Sequence, residues 1–218
     1  MTNNLSTAAY DYIVDAIRIG KLEIGSTISE HSLAKDMKIS RTPVREAVRR
    51  LKFEGVVEQI PRFGTIVRSP DQDELRELYE LREALECFAV ERAAEKVTAE
   101  DIAELKELTG KIKQMAHEFR KNDREFLNEK ELKEFLDIDM SFHMRLIQIS
   151  GNCQIMKSVR ESKVLTGIFS TPRQKHSLNT LAMAYRRHSQ ILHALEQKDK
   201  DKARSPLERH IRASCDKA

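Results

Sequence analysis

Residues 39–51 read Ile39-Ser40-Arg41-Thr42-Pro43-Val44-Arg45-Glu46-Ala47-Val48-Arg49-Arg50-Leu51. One helical face of this segment is apolar, because aliphatic residues recur at i, i+3, i+4 and i+7: Val44, Ala47, Val48 and Leu51. Thr42 is the predicted N-cap, and Pro43 is the predicted first helical residue, where its missing N–H has no intrahelical partner to lose. The segment is therefore predicted to be a helix with one buried face.

A second face of this helix carries cations. Arg45 and Arg49 lie four residues apart and share that face, and Arg41 stands at the helix entrance. Guanidinium groups bind phosphates and guanine edges, and the major groove of DNA accepts a helix. The alternative is a solvated charged face, which runs of charge usually form. We favour DNA binding because the flanking elements agree with it.

The upstream sequence predicts the rest of a helix-turn-helix. Residues 5–19 are typical of an amphipathic helix with four apolar residues directed inward: Tyr10, Ile13, Val14 and Ile17. Residues 29–37 predict a short helix capped by Ser29, and residues 38–40 form a tight connection to the arginine helix.

The downstream sequence predicts a wing. Gly55 ends the arginine helix, and two strand-like runs follow at residues 56–60 and 65–68. Arg62 lies at the tip of the turn between them, within reach of a minor groove or the phosphates beside it. The N-terminal third of the chain is therefore predicted to be a winged helix-turn-helix.

The net charge of +3 is confined to this first third. Residues 1–70 contain 11 Lys/Arg and 8 Asp/Glu, whereas residues 71–218 contain 27 of each. An excess of positive charge where nucleic acid would bind supports the DNA-binding prediction. The remainder has no electrostatic reason to contact nucleic acid.

Ser69-Pro70 marks the predicted boundary between domains 1–70 and 71–218, since helical periodicity restarts at Asp71. The restarting helix is expected to bury a wide apolar stripe: Leu75, Leu78, Leu81, Leu85, Phe88 and Ala89. Further helical patterns run over 99–121, 129–150, 152–169, 177–197 and 199–215, punctuated by Gly151, Pro172 and residues 198–200. The predicted fold is mainly α: an N-terminal winged helix-turn-helix with a small β-hairpin wing, and a C-terminal all-α helical bundle.

The chain carries no signal for secretion or membrane insertion, since it has neither an apolar run of about 18 residues nor a cationic-then-apolar leader. We therefore expect a cytoplasmic, nucleoid-associated protein without a membrane partner. Its three cysteines, Cys87, Cys153 and Cys215, are far apart and odd in number, which indicates reduced thiols rather than disulfides or a thiolate zinc site.

Histidines concentrate in the second domain, which contains six of the seven. Asp139 and His143 lie four positions apart and share a helix face, which suits two ligands of one ion. His188 and His210 each lie on a separate predicted helix beside apolar neighbours. Spacing alone leaves alternatives open, because an Asp–His pair at i, i+4 is more often a surface pair and a lone His is more often hydrogen-bonded or exposed.

The first domain resembles the GntR family of transcriptional regulators. The similarity lies in Ser40-Arg41-Thr42-Pro43-Val44-Arg45-Glu46-Ala47 with Leu51, in Glu54-Gly55-Val56-Val57, and in Ile24-Gly25-Ser26-Thr27-Ile28-Ser29-Glu30. The resemblance implies DNA contacts from recognition-helix and wing residues: Arg41, Thr42, Arg45, Arg49, Arg62 and Gly64. Many members carry Arg where this chain has His31, so a contact at that position is not carried over.

The second domain is similar to the FCD-type effector domain of the FadR-like branch, which is a helical bundle. The matching segments are Asp139-Met140-Ser141-Phe142-His143, Ile149-Ser150-Gly151-Asn152, His188 with Ile191 and Ala194-Leu195, and Asp199 with Ala203 and His210-Ile211. Metal-containing members bind a divalent ion through one Asp and three His, which implies four ligands here: Asp139, His143, His188 and His210. In the matching first bundle helix, Arg82 would meet an anionic effector; the alternative is a surface arginine paired with Glu86.

Together these features predict a ligand-responsive transcriptional regulator, a repressor, that binds double-stranded operator DNA. A homodimer is expected because one recognition helix covers only a few base pairs. Three imidazoles and one carboxylate suit zinc, nickel, iron or manganese, and six-coordination would leave two positions for water or a small carboxylate effector.

Two other functions compete with this prediction. A metal-dependent hydrolase with an accessory winged helix would need a positioned general base, and no His-Glu-x-x-His pattern is present. A metal-free helical interaction module is the second alternative, and metal analysis of the purified protein distinguishes it from a metal-dependent regulator.

Overall fold

Nine α-helices and one β-hairpin form the part of the chain that the computed structural model describes, residues 2–122, 124–170 and 175–216. The N-terminal elements are α1 (Thr2–Arg18), α2 (Glu30–Met37), α3 (Arg41–Phe53), β1 (Val57–Ile60) and β2 (Gly64–Val67). The later helices are α4 (Gln72–Lys96), α5 (Ala99–Arg120), α6 (Glu129–Ser150), α7 (Cys153–Ser170), α8 (Leu178–Glu196) and α9 (Lys200–Cys215). The predicted fold class is confirmed; Pro172 lies outside the described residues.

The chain divides into two compact units. One comprises Met1–Gln72 and Val164–Arg173, and the other comprises Asp73–Lys163 and Gln174–Ala218. The long helix α7 therefore contributes to both. The functional assignment of the predicted domains 1–70 and 71–218 stays a prediction.

The first unit contains the predicted helix-turn-helix. α1 and α2 both pack on α3. The predicted inward residues of α1 and α3 are buried: Tyr10, Ile13, Val14, Ile17, Val44, Ala47, Val48 and Leu51. Tyr10 also donates a 2.6 Å hydrogen bond to Glu54, and the Arg50 guanidinium lies 3.8 Å from the centre of the Tyr10 ring. These polar contacts hold the C-terminal end of α3 against α1.

The start of α3 differs from the prediction. The N-cap is Ser40 rather than Thr42, and Pro43 is the third helical residue rather than the first. The first turn of any helix has N–H groups without intrahelical acceptors, so proline fits there without losing a hydrogen bond. The earlier start adds Arg41 to the helix itself.

The wing is an antiparallel hairpin in which Val57 pairs with Val67 and Ile60 pairs with Gly64. Gly55, at φ 75°, follows the end of α3 as predicted. Arg62 at the tip has a left-handed backbone with φ 70°, and Gly64 has φ 91°. This turn presents Arg62 and Phe63 to solvent.

The second unit is a helical bundle in which α5 packs on α6 and α8, and α8 packs on α9. Capping boxes at Thr98 and Asn128 start α5 and α6, and Gly151, at φ 76°, follows α6. Within the described residues, no helix combines the length and the apolar character needed to cross a membrane.

The predicted stripe of α4 is partly wrong. Leu81 and Phe88 are 45% and 43% exposed, whereas Arg82 and Glu86 are buried. Arg82 and Glu86 continue the inward spacing that Leu75 and Tyr79 begin, and their ion pair neutralises two charges that would otherwise be costly to bury. Leu81 and Phe88 consequently fall on the outer side of α4.

The helix caps generate a stability prediction. Ser29 accepts a 3.2 Å hydrogen bond from the Ser32 N–H, whereas the Ser40 side chain makes no cap hydrogen bond. Replacing Ser29 with Ala should therefore lower the free energy of unfolding by about 0.5–2 kcal/mol. Ser40→Ala is the matched control and should lower it by less. Urea unfolding without DNA measures both, and equal losses would show that the Ser29 hydroxyl does not stabilise α2.

Candidate metal centre and nucleic-acid interface

The structure brings together the four side chains predicted as metal ligands. Asp139 and His143 lie one turn apart on α6, His188 lies on α8, and His210 lies on α9. The Asp139 Oδ1 atom is 3.6 Å from His143 Nε2, 3.4 Å from His188 Nε2 and 3.5 Å from His210 Nε2. One potential ligand atom from each residue lies within 4.8 Å of the others. Three helices thus direct four donor atoms toward one point.

Three of these four donor atoms are buried and have no hydrogen-bond partner among the described residues. Within the described residues, Asp139 Oδ1, His143 Nε2 and His188 Nε2 have no hydrogen-bond partner, and His143 and His188 are completely buried. Buried polar atoms are normally satisfied, because leaving them unpaired is costly. A divalent ion accepts lone pairs from a carboxylate and imidazoles at once. The donor set therefore fits a metal.

The protonation of the cluster also suits a metal. Burial lowers the pKa of His188, and it lowers the pKa of His210 to about 3, so both imidazoles are neutral near pH 7. Burial acts to raise the pKa of Asp139, but the Lys163 ammonium and His143 bring it well below its usual value. A neutral imidazole and an ionised carboxylate are the ligand forms that a metal needs.

A second layer of side chains orients His143. Its Nδ1–H donates a 2.5 Å hydrogen bond to Glu86, which fixes the tautomer whose Nε2 lone pair faces the cluster. Arg82 donates a 2.8 Å hydrogen bond to Glu86 in turn. Burial acts to raise the pKa of Glu86, yet Arg82 and His143 bring it far below its usual value. Arg82 is paired with Glu86, but the pair is buried and not on the surface.

Two further contacts complete the site. The Phe142 ring stacks on His188 with centroids 3.9 Å apart and an interplanar angle of 8°, which fixes the plane of that imidazole. The Lys163 ammonium of α7 lies 3.4 Å from Asp139 Oδ2, the oxygen on the other side of the carboxylate from the three imidazoles.

The sequence predicted Glu86 only as a possible surface partner of Arg82 and gave Lys163 no role, although a signal for burial was present for each. Glu86 continues the inward spacing of α4, and Lys163 lies four residues after the buried Val159 and eight after Ile155. A charged residue at an inward position of an amphipathic helix requires a buried partner. The structure was needed to identify the buried partners, which are His143 for Glu86 and Asp139 for Lys163.

The arginine face of α3 is open to solvent. Arg41, Thr42, Arg45 and Arg49 are exposed, and the Arg41 guanidinium lies 3.9 Å from the Glu30 carboxylate. Arg50, in contrast, bonds Glu54 at 2.8 Å and lies over Tyr10, so it is held within the domain. An exposed row of arginines at i, i+4 and i+8 matches the face that a recognition helix presents to a major groove.

Comparison with known proteins identifies the family. Residues 77–213 match the FCD domain, and residues 5–67 match the description "Bacterial regulatory proteins, gntR family". The chain belongs to the GntR family of transcriptional regulators. Within that family it carries the FCD type of second domain, as its resemblance indicated.

Similar proteins agree with this assignment. An uncharacterised HTH-type transcriptional regulator from an unstable DNA locus of Streptomyces ambofaciens is 28% identical over 90% of this chain and 77% of its own length. The HTH-type transcriptional repressor RspR of Escherichia coli K12 is 27% identical over 86% of this chain and 77% of its own length. The solved structure of E. coli McbR/YncC is similar in fold, with a TM-score of 0.81, 24% identity, and coverage of 96% of this chain and 94% of that one.

The family assignment also distinguishes a transcriptional regulator from the competing metal-dependent hydrolase. The matched family is one of bacterial regulatory proteins, so this chain is a transcriptional regulator and not a hydrolase. The roles of individual residues stay predictions.

The exposed arginines of α3 lead to a test of DNA binding. Arg45→Ala and Arg49→Ala should each weaken operator binding by about 1–3 kcal/mol, because each removes a guanidinium from the exposed face. Exposed Arg120, at the end of α5, supplies the control Arg120→Ala, which should leave operator affinity unchanged. The measurement is titration of a cognate operator at fixed salt. Unchanged affinity in both α3 variants would contradict the recognition-helix assignment.

The candidate metal centre leads to a test of the ligand assignment. His143→Ala should lower the metal content of the purified protein, because it removes a buried donor and its Glu86-bonded tautomer. His117 is exposed on α5, so His117→Ala is a matched loss of one histidine and should retain the metal. Elemental analysis of both variants and the wild type decides the outcome, and full metal occupancy in His143→Ala would show that His143 is no ligand.

Proposed function

We propose that this protein is a repressor whose helical domain senses a small carboxylate effector at a divalent metal ion. The regulator function follows from the family, and RspR, a relative of similar length, carries the name repressor. The convergence of Asp139, His143, His188 and His210 on one buried point carries the metal-dependent part of the proposal.

The residues that would hold the ion are the same four. When bound, the ion would supply a Lewis-acidic site for a carboxylate oxygen, and zinc, nickel, iron and manganese all accept this donor set. The protein's own contribution is orientation. Glu86 holds the His143 ring, Phe142 holds the His188 ring, and burial lowers the pKa values of His188 and His210.

Arg82 is proposed to attract the effector. Its guanidinium is buried on α4 and donates from Nε to Glu86, which is itself bonded to the candidate ligand His143. A guanidinium carries five N–H donors, so holding Glu86 is compatible with binding an anion. The hydrogen bonds that Arg82 and His143 both make to Glu86 would also couple effector binding to the orientation of the metal ligands.

Operator binding is proposed to require a homodimer. A single exposed face with Arg41, Thr42, Arg45 and Arg49 reaches only one stretch of major groove, whereas two copies would read two half-sites. Arg62 and Gly64 of the wing would add contacts beside each groove. Measurement of the protein-to-operator ratio tests this proposal, since one copy per operator would contradict it.

The coupling between effector and operator is the test of the sensor. The identified effector should change operator affinity by about 1–3 kcal/mol, and operator DNA should change effector affinity by the same factor. Arg82→Lys keeps a cation for Glu86 but loses the planar fork, so it should weaken effector binding while leaving effector-free operator affinity unchanged.

The control is Arg76→Lys, an exposed arginine on the same helix, which should behave as wild type. Operator titrations with and without a panel of small organic acids provide the measurement. If the effector binds and operator affinity never changes, the bundle is a dimerisation module and not a sensor.

A further inference from the structure

The candidate metal centre has an unusual charge balance. Among the described residues, four charged side chains adjoin the three imidazoles: Arg82, Glu86, Asp139 and Lys163. Arg82 pairs with Glu86 at 2.8 Å, and Lys163 pairs with Asp139 at 3.4 Å. The two cations and the two anions therefore balance before any ion is bound. A divalent metal would leave two positive charges without a counter-charge.

An excess of two charges is costly in this environment. Arg82, Glu86 and Lys163 are all more than nine-tenths buried, and the Asp139 side chain is 19% exposed. Net charge that is removed from water must be compensated locally, because the interior solvates ions poorly. A ligand with one carboxylate would supply one of the two missing negative charges, whereas a ligand with two would supply both.

Lys163 is placed to distinguish ligands with one carboxylate from ligands with two. Asp139 directs Oδ1 to the imidazoles and Oδ2 to Lys163, so the ammonium lies directly beyond the ligand set. Arg82 approaches the same ligand set from α4, because its partner Glu86 bonds His143 Nδ1. Asp139, the partner of Lys163, lies 3.6 Å from His143 Nε2. Two cations that flank one ligand set favour an anion between them.

We propose that Lys163 makes this site selective for a small dianion, a short dicarboxylate, whose first carboxylate binds the metal and whose second is held by Lys163 and Arg82. This inference rests on the metal-dependent sensor proposed above. An ammonium has three N–H donors, so Lys163 can hold Asp139 and a ligand carboxylate together.

The competing role for Lys163 is neutralisation of Asp139 alone. In that case its removal would change the affinity for metal but not the preference between ligands of different charge. The two roles are therefore separated by a pair of ligands that share a shape and differ by one charge.

The experiment measures binding to the full-length protein loaded with Zn²⁺. The probes are malonate, succinate and glutarate, each compared with its monoamide by calorimetry. The wild type should bind its best dicarboxylate at least about tenfold more tightly than the monoamide, which is the value of one charge-assisted hydrogen bond. In Lys163→Met the preference should fall to within about threefold, because the second carboxylate loses that bond.

Lys157 supplies the control, because it is an exposed lysine on the same helix. Lys157→Met should keep the wild-type preference. Metal content and circular dichroism are measured for every variant. If Lys163→Met does not fold, Lys163→Gln replaces it, and the comparison of each dicarboxylate with its monoamide in the wild type tests the proposal without any variant.

Four results would overturn the inference: equal binding of the two ligands by the wild type, an undiminished preference in folded Lys163→Met, no binding of any dicarboxylate to metal-loaded protein, or tighter binding of inorganic phosphate or sulfate. A separate measurement, the metal content, shows whether the proposed metal-dependent sensor itself is wrong. If the four ligand residues retain no metal, the proposed function fails; if metal is retained without a charge preference, only the role of Lys163 fails.

Discussion

The helical domain is organised around one carboxylate, Asp139, that faces three imidazoles on one side and an ammonium on the other. Asp139 directs one oxygen to three imidazoles and the other to an ammonium, and each of these groups comes from the bundle interior. In the low dielectric of a packed interior, such a group is stabilising only while every partner stays in place. The positions of α6, α7, α8 and α9 are therefore tied to the occupancy of a single point. Apolar packing alone would tolerate small helix shifts more readily.

The second layer extends this constraint to α4. Glu86 accepts from both His143 and Arg82, so the orientation of a candidate metal ligand depends on an ion pair within another helix. This explains why the inward face of α4 carries charges while Leu81 and Phe88 lie outside. Because Arg82 and Glu86 are buried beside the candidate site, two inward positions of α4 are charged rather than apolar.

Local sequence signals predicted most elements but not the site's full composition. Ser29, Gly55 and Gly151 end or begin helices through their own backbone and side-chain chemistry, so their roles were readable from the sequence. Asp139 and His143 share a face by spacing alone. His188 and His210, however, join them only through tertiary packing of α8 and α9, and the resemblance to the FCD domain was needed to select them. Lys163 reaches Asp139 from 24 residues away, a pairing that no helical period encodes.

A sensor requires a ligand that binds one arrangement of the helices better than another. In this bundle the two cations available to an anion belong to different helices, Arg82 to α4 and Lys163 to α7. An anion that contacts two of these cations at once binds best at one spacing of α4 and α7, whereas a metal ion constrains α6, α8 and α9. Metal and effector would thus fix complementary sets of helices. The metal alone would restrain the two cations only through their ion pairs with Glu86 and Asp139. An effector that contacts both cations would add a direct restraint on their separation.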